Sequence, residues 1–408
     1  MKKICIITLI VLTLFPLAAG SGELDGMVRT KAAYRFKQQD LQVFEQLVDL
    51  TYTHYTDLGN LTIHPTIYLN PNTGAEIDLK EVYVDLYFDH VDLRVGKQTV
   101  IWGEAEGAFI TDVVSPRDMR SFILADFTEI RKAVPAVKAD IYLGNFTLQG
   151  IWVTHHIPTS LPEPTSMWAQ SPSFLNPGIN PTINEPEKLS PSVKNSELFL
   201  SLGHWGGSLN WTVSGGIMNS DEPVIAKVTP GAPPVIDLEY GRYGFVGASM
   251  NTLIGPVVLR VESALSIDKP MNKIVFPTAS VEKHHQVQTL VGLDWAMLGA
   301  QWSAQYVLAY THDHHDNLYS QMHKVDQFDH TVTLRYQDTF LDEQLTATLF
   351  TYVELPTFNA LIRPSISYSL GSGVLVEGGV ELFVGDRSGT FGAYRDNTMA
   401  WAALRWYF

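Results

Sequence analysis

Between Arg395 and Phe408 the chain reads RDNTMAWAALRWYF. Drawn as an extended strand, it sets Thr398, Ala400, Ala402, Leu404, Trp406 and Phe408 on one face and Asn397, Arg405 and Tyr407 on the other. A wall with lipid on one side and water on the other demands this period of two. The pattern recurs in Glu81 to Phe88, Gln301 to Tyr310, Glu343 to Val353 and Gly373 to Phe383. In the first of these, Val82, Val84, Leu86 and Phe88 oppose Glu81, Tyr83, Asp85 and Tyr87.

Hydrophobic residues make up 45% of the chain and charged residues only 17%. Yet beyond Leu17 no apolar run approaches the roughly 18 to 20 residues that a membrane helix needs. A membrane chain without such helices must satisfy its backbone by closing a sheet. The competing architecture is a large secreted all-β protein. Residues 1–20 read as a secretory signal peptide: Lys2 and Lys3, then the apolar Ile4 to Leu17, then Ala18-Ala19-Gly20. The barrel is thus expected over residues 21–408. Cys5, the sole cysteine, falls within the signal, which excludes disulfide and thiol chemistry from the remainder. Losing Lys2 and Lys3 takes the formal charge from -15 to -17. Such acidity argues against nucleic acid as a partner.

Connections of two kinds alternate along the chain. Short ones fall near Asp57 to Asn60, Asp89 to His90, Leu143 to Asn145, Gly203 to Gly207, Asn251 to Gly255, Leu298 to Ala300, Asp338 to Leu341 and Leu370 to Ser372. Long polar ones are expected at Asn70 to Gly74, Gly103 to Pro135, His155 to Lys194, Asn219 to Val235, Asp268 to Lys283, Thr311 to Gln327 and Gly385 to Tyr394. Short periplasmic turns and long external loops are the asymmetry of outer-membrane barrels. The fold class expected is therefore all-β, a transmembrane antiparallel β-barrel of about 18 strands, with about 16 as the alternative count. A barrel of that size leaves an aqueous lumen.

The most unusual segment is Leu93 to Lys132, LRVGKQTVIWGEAEGAFITDVVSPRDMRSFILADFTEIRK, a strand that becomes a loop carrying both signs of charge. Gly96, Lys97, Gln98, Trp102 and Gly103, followed by Ser115, Pro116 and Asp118, resemble the G-[RK]-Q-x-x-x-W-G and N/S-P-x-D elements of a porin-like outer-membrane family of unknown function, and more distantly of alginate-export barrels. The last strand, with its terminal aromatic Phe408, likewise resembles the ending that the barrel-assembly machinery reads. These resemblances imply a porin without naming its cargo. Folded inward, the loop would bring Glu104, Asp112, Arg117, Asp118, Arg120, Arg131 and Lys132, with Arg94 on the wall, to a constriction that screens permeants by charge and dipole. The alternative is that Arg117 and Asp118 pair with Arg94 or Asp92 and merely pin the loop, with Trp102 as a packing anchor.

His155 to Lys194 is proline-rich and reads either as a stiff external loop or as a second inward loop. His312, His314, His315 and His323, near His284 and His285, are close enough in sequence to converge on a metal. No helical pair or HExxH accompanies them, and no metal ligand or cofactor is assigned from sequence. The GxSxG, P-loop and GxGxxG motifs are absent, so no enzyme is expected. Interfacial aromatic girdles are expected to draw on Trp401, Trp406, Tyr407, Phe408, Tyr306 and Tyr310. The leading expectation is an outer-membrane porin for small polar or charged solutes, in contact with lipid and open to homo-oligomerisation by analogy. The second is a structural barrel that sheathes a periplasmic partner of an electron-transfer or export complex.

Overall fold

The computed structural model describes residues 22–70, 74–127, 129–170, 172–175, 179, 181–320 and 323–408, with Gln42 in backbone alone. The expected signal segment and Cys5 lie outside the described residues. Eighteen strands, each antiparallel to its neighbours, form the barrel wall, and a hairpin of Leu318–Ser320 and His323–Lys324 extends the same sheet. The first wall strand, Gly22–Arg35, pairs with the last, Met399–Tyr407, from Met27 opposite Tyr407 to Arg35 opposite Met399. That pairing closes the sheet and removes its edges, so every wall strand has partners on both sides. Among the described residues, no helix is long and apolar enough to cross a membrane.

Alternation decides which way each side chain points. In Glu197–His204, Leu198, Leu200 and Leu202 are exposed on the outside, while Phe199 and Ser201 are buried within. Val376, Leu404 and Trp406 continue the outer apolar surface. So large an apolar surface has no place in water and belongs against lipid. Trp302 stacks on Trp295 and packs on Tyr336 near one rim, and Tyr310 packs on Phe328 near the other. The eight residue steps from Trp302 to Tyr310 cover about 26 Å of strand, the scale of the apolar band. Trp401 departs from the expected girdle. Sharing a face with Met399, Ala403 and Arg405, it lines the interior with Lys31 above its ring at 4.8 Å.

The eight short turns fall where the alternation places them. The expected loop Asp268 to Lys283 does not exist as such: Val257–Val275 and Thr278–Met297 run on as one long hairpin with a bulge between Ser266 and Lys269. Above the lipid both faces meet water, so the period-two signal fades although the ladder continues. Thr182–Asn184, Val224–Thr229 and Val235–Glu239 form a separate three-stranded sheet from two external connections.

Inside, the expected polar lining holds for only part of the wall. Val134, Ala136, Ile151, Val153, Phe199, Phe245, Ala264 and Leu290 make an apolar inner surface, and Val100, Ile110 and Val114 of the long loop pack onto it. Across the lumen, Phe122 and Leu124 of the same loop join Trp168, Phe383, Phe391 and Tyr394. The loop therefore has an apolar footing on two opposite stretches of wall.

Candidate functional site

The long connection leaves its strand at Gln98, which is fully buried and donates from Nε2 to the carbonyl of Ala136 at 3.0 Å. Two residues earlier Gly96 sits at φ +140, where a Cβ would lie 2.2 Å from the Val82 carbonyl oxygen. The Trp102 indole donates to Gln149 Oε1 at 2.6 Å and meets Phe199 edge-on at 5.8 Å, so it anchors the loop. Gly103, at φ +80, allows the backbone to wrap a wall carboxylate, Glu262, that is 1% exposed. Glu262 accepts from the amides of Glu104 and Ala105 and from the Thr111 hydroxyl at 2.9 Å. Beyond it, Gln305 donates to the Glu106 carbonyl at 3.0 Å, Arg335 holds the Glu106 carboxylate at 3.0 Å, and Tyr352 donates to the Gly107 carbonyl at 3.0 Å.

From there the chain turns back toward the seam. Arg29 bridges wall Glu45 at 2.6 Å and loop Glu129 at 2.8 Å. Arg405 bridges wall Glu377 at 3.0 Å and loop Asp126 at 3.1 Å. Arg363 pairs with wall Glu381 at 2.8 Å and donates to the Leu124 carbonyl at 3.1 Å. Each of these arginines thus joins one wall carboxylate to the loop. Because both ends of the crossing are held by buried or half-buried charge pairs, the loop is a fixed crossbar rather than a free flap.

The second loop reinforces it. Met119 and Asp118 run beside Ser160, with Met119 N donating to the Ser160 carbonyl at 2.8 Å and Ser160 N to the Arg117 carbonyl at 2.9 Å. Lys132 Nζ donates to the Pro158 carbonyl at 2.6 Å. Met167 and Trp168 turn into the barrel, where Asn397 and Tyr394 donate to their carbonyls at 2.6 and 3.1 Å. The described part of His155 to Lys194 is therefore inward over this stretch, and not simply a stiff surface loop.

What the two loops leave open is a cavity of about 1470 Å³ within the barrel. Of the residues expected at a constriction, Asp118, Arg120, Arg131 and Lys132 line it. Arg120 reaches Asp118 at 2.7 Å and wall Glu76 at 3.0 Å. The other four lie outside the lining. Arg94 forks onto Asp85 over the Tyr83 ring, Glu104 accepts from Asn251, Asp112 is buried against Arg131 at 2.6 Å, and Arg117 lies over Phe109. Neither Arg94 nor Asp92 pins the loop, since Arg94 holds Asp85 and Asp92 accepts from Tyr142. Sequence reading missed Arg29, Arg335, Arg363 and Arg405 on the wall, and Glu262 above all. Their signal was a charge at an inward strand position, and it is weak because any water-filled lumen has many.

The closed antiparallel barrel, apolar outside and crossed inside by a folded loop, has the fold of outer-membrane porin barrels. Residues 25–403 match the model of a family described as a protein of unknown function, DUF1302, and the chain belongs to that family. Among solved structures it is similar to OccAB3 of Acinetobacter baumannii, with a TM-score of 0.56 and 10% identity over 95% of this chain and 99% of that one. It is similar also to OccK2 (OpdF) of Pseudomonas aeruginosa, solved in complex with glucuronate, with a TM-score of 0.56 and 10% identity over 95% and 97%. A third is OccD3 (OpdP) of the same species, at TM-score 0.56 and 8% identity over 95% and 91%. No curated protein sequence matches it.

Proposed function

We propose that this protein is a diffusion channel of the outer membrane for small polar or charged solutes, with the loop of residues 103–135 setting the constriction. The observation that carries this reading is the charge balance of the cavity: ten Lys and Arg and eleven Asp and Glu side chains line it. Opposed charges at close quarters with little net excess screen solutes by dipole and hydrogen-bonding shape more than by sign. A solute with both an anionic and a hydroxylated part suits such a lining. The glucuronate complex of the OccK2 barrel makes a sugar acid the first solute to test. A barrel that sheaths a partner needs an open lumen, and a loop fixed across it argues against that alternative.

The test is conductance of the purified protein in planar bilayers under a salt gradient. Asp118→Asn leaves Arg120 with less compensation and shifts the reversal potential toward anion preference, whereas Lys132→Met shifts it toward cations. Identical reversal potentials in the wild type and both variants would remove the constriction role. Liposome swelling in sugar acids and in neutral sugars of equal size then ranks solutes by charge.

A further inference from the structure

At the external end of the long hairpin, three side chains converge that neither the wall nor the cavity uses. Glu282 and His284 are two residues apart on Thr278–Met297 and share a face of that strand. His315 approaches from the connection of residues 312–327. That connection is held to the hairpin by backbone pairing of Leu318 and Tyr319 with Lys273 and Asn272, and Leu318 N donates to the His315 carbonyl at 3.0 Å. Glu282 Oε2 lies 2.9 Å from His315 Nε2 and 3.5 Å from His284 Nε2, and the ligand atoms of all three residues fall within 4.8 Å of one another. Around a four-coordinate zinc ion with bonds of about 2.1 Å, neighbouring ligands stand roughly 3.4 Å apart. The two Glu282 contacts, at 2.9 and 3.5 Å, bracket that spacing, and the His315 side chain is 32% exposed.

His284 supplies the second, independent observation. It is 6% exposed, its Nδ1 lies 3.0 Å from the His312 carbonyl, and its Nε2 is buried without a hydrogen-bond partner. A carbonyl only accepts, so Nδ1 carries a proton, and in the neutral ring Nε2 then presents its lone pair toward the Glu282 carboxylate. A lone pair on a buried imidazole facing a carboxylate oxygen is costly unless a proton or a metal ion lies between them. A backbone carbonyl behind a histidine is also the support that orients metal-bound imidazole. Lys273 Nζ, 3.4 Å from Glu282 Oε1, engages the other carboxylate oxygen and leaves Oε2 free for the histidines.

We propose that Glu282, His284 and His315 bind a divalent transition ion of the zinc class, with water completing the fourth position. Two imidazoles and one carboxylate suit zinc better than calcium or magnesium, which take all-oxygen sites. The bound ion ties the 312–327 connection to the hairpin at the external rim. Calorimetric titration of the untagged full-length protein in detergent with zinc chloride tests it. One saturable site per chain is expected, weakened more than about tenfold in Glu282→Gln and in His315→Ala. Both side chains are about one-third exposed, and neither supports the wall. His285→Ala, at a 49% exposed side chain, keeps full affinity. Absence of saturable binding in the wild type, unchanged affinity in both Glu282→Gln and His315→Ala, or an equal loss in His285→Ala would each overturn the assignment.

Discussion

Glu262 shows how one wall residue determines the course of a loop. Its two oxygens gather donors from Glu104, Ala105 and Thr111, and Gly103 must adopt a positive φ for the chain to close around them. A Cβ at Gly103 would lie 2.8 Å from Glu262 Oε2. Removing the carboxylate orphans several buried donors, each worth about 1–3 kcal/mol. Glu262→Ala is therefore expected to release the loop, raise protease cleavage between Glu104 and Thr111 and increase current noise, with barrel heat-modifiability retained. Unchanged cleavage would mean that the apolar footing alone holds it. His156 gives the second loop a pH dependence. Burial pushes its pKa down to about 4, against a backbone hydrogen bond at Ser220, and its ring lies 4.7 Å edge-on from Tyr240. The undocked loop takes up this proton below about pH 6.5. Docking is thus fully stable above that pH and weakens as pH falls toward 4. Proteolysis of the 154–196 segment should accelerate from pH 7 to pH 5 in the wild type and lose that dependence in His156→Phe.

At the scale of elements, the crossbar is two halves with different footings. The half from Val100 to Val114 packs on one apolar stretch of wall and is held by Glu262 and Arg335, and the half from Phe122 to Glu129 packs on the opposite stretch and is gripped by Arg29, Arg363 and Arg405. Those arginines keep Glu45, Glu381 and Glu377 when the second half is removed, so the wall is left without an uncompensated charge. Replacing residues 121–127 with a short Gly-Ser bridge is expected to raise single-channel conductance severalfold without loss of the folded barrel. An unchanged conductance would put the narrowest point elsewhere. Much of this loop was legible in the sequence, because Gly96, Gln98, Trp102 and Gly103 are unusual residues at fixed spacing and each has a geometric task. Its grip on the seam was not, because Arg29 and Arg405 lie far from it in sequence and close to it only once the barrel shuts.

For the whole molecule, overall charge and lumen charge part company. The chain carries -15 formally, yet the cavity lining is within one charge of balance. Weak cation preference is therefore expected, with a potassium-to-chloride permeability ratio within about threefold of unity, since field effects from the outer loops are screened within about 10 Å. A ratio far above that would show that external acids govern permeation.

The sequence by itself determined the wall. Period-two alternation, turn spacing and the absence of membrane helices leave a closed sheet of about eighteen strands as the solution in lipid. Where lipid no longer imposes alternation, as at Asp268 to Lys283, the pattern stopped informing and the hairpin outran the expectation. Nor could alternation reveal that part of the inner wall is apolar, because Ile151 and Val153 face inward on a strand whose Leu148 and Trp152 face outward. Only closure decided which inward residues meet across the lumen. Barrel curvature brings Glu262, Arg335, Arg29 and Arg405 around a single loop, and that convergence depends on distances through space that no local pattern encodes.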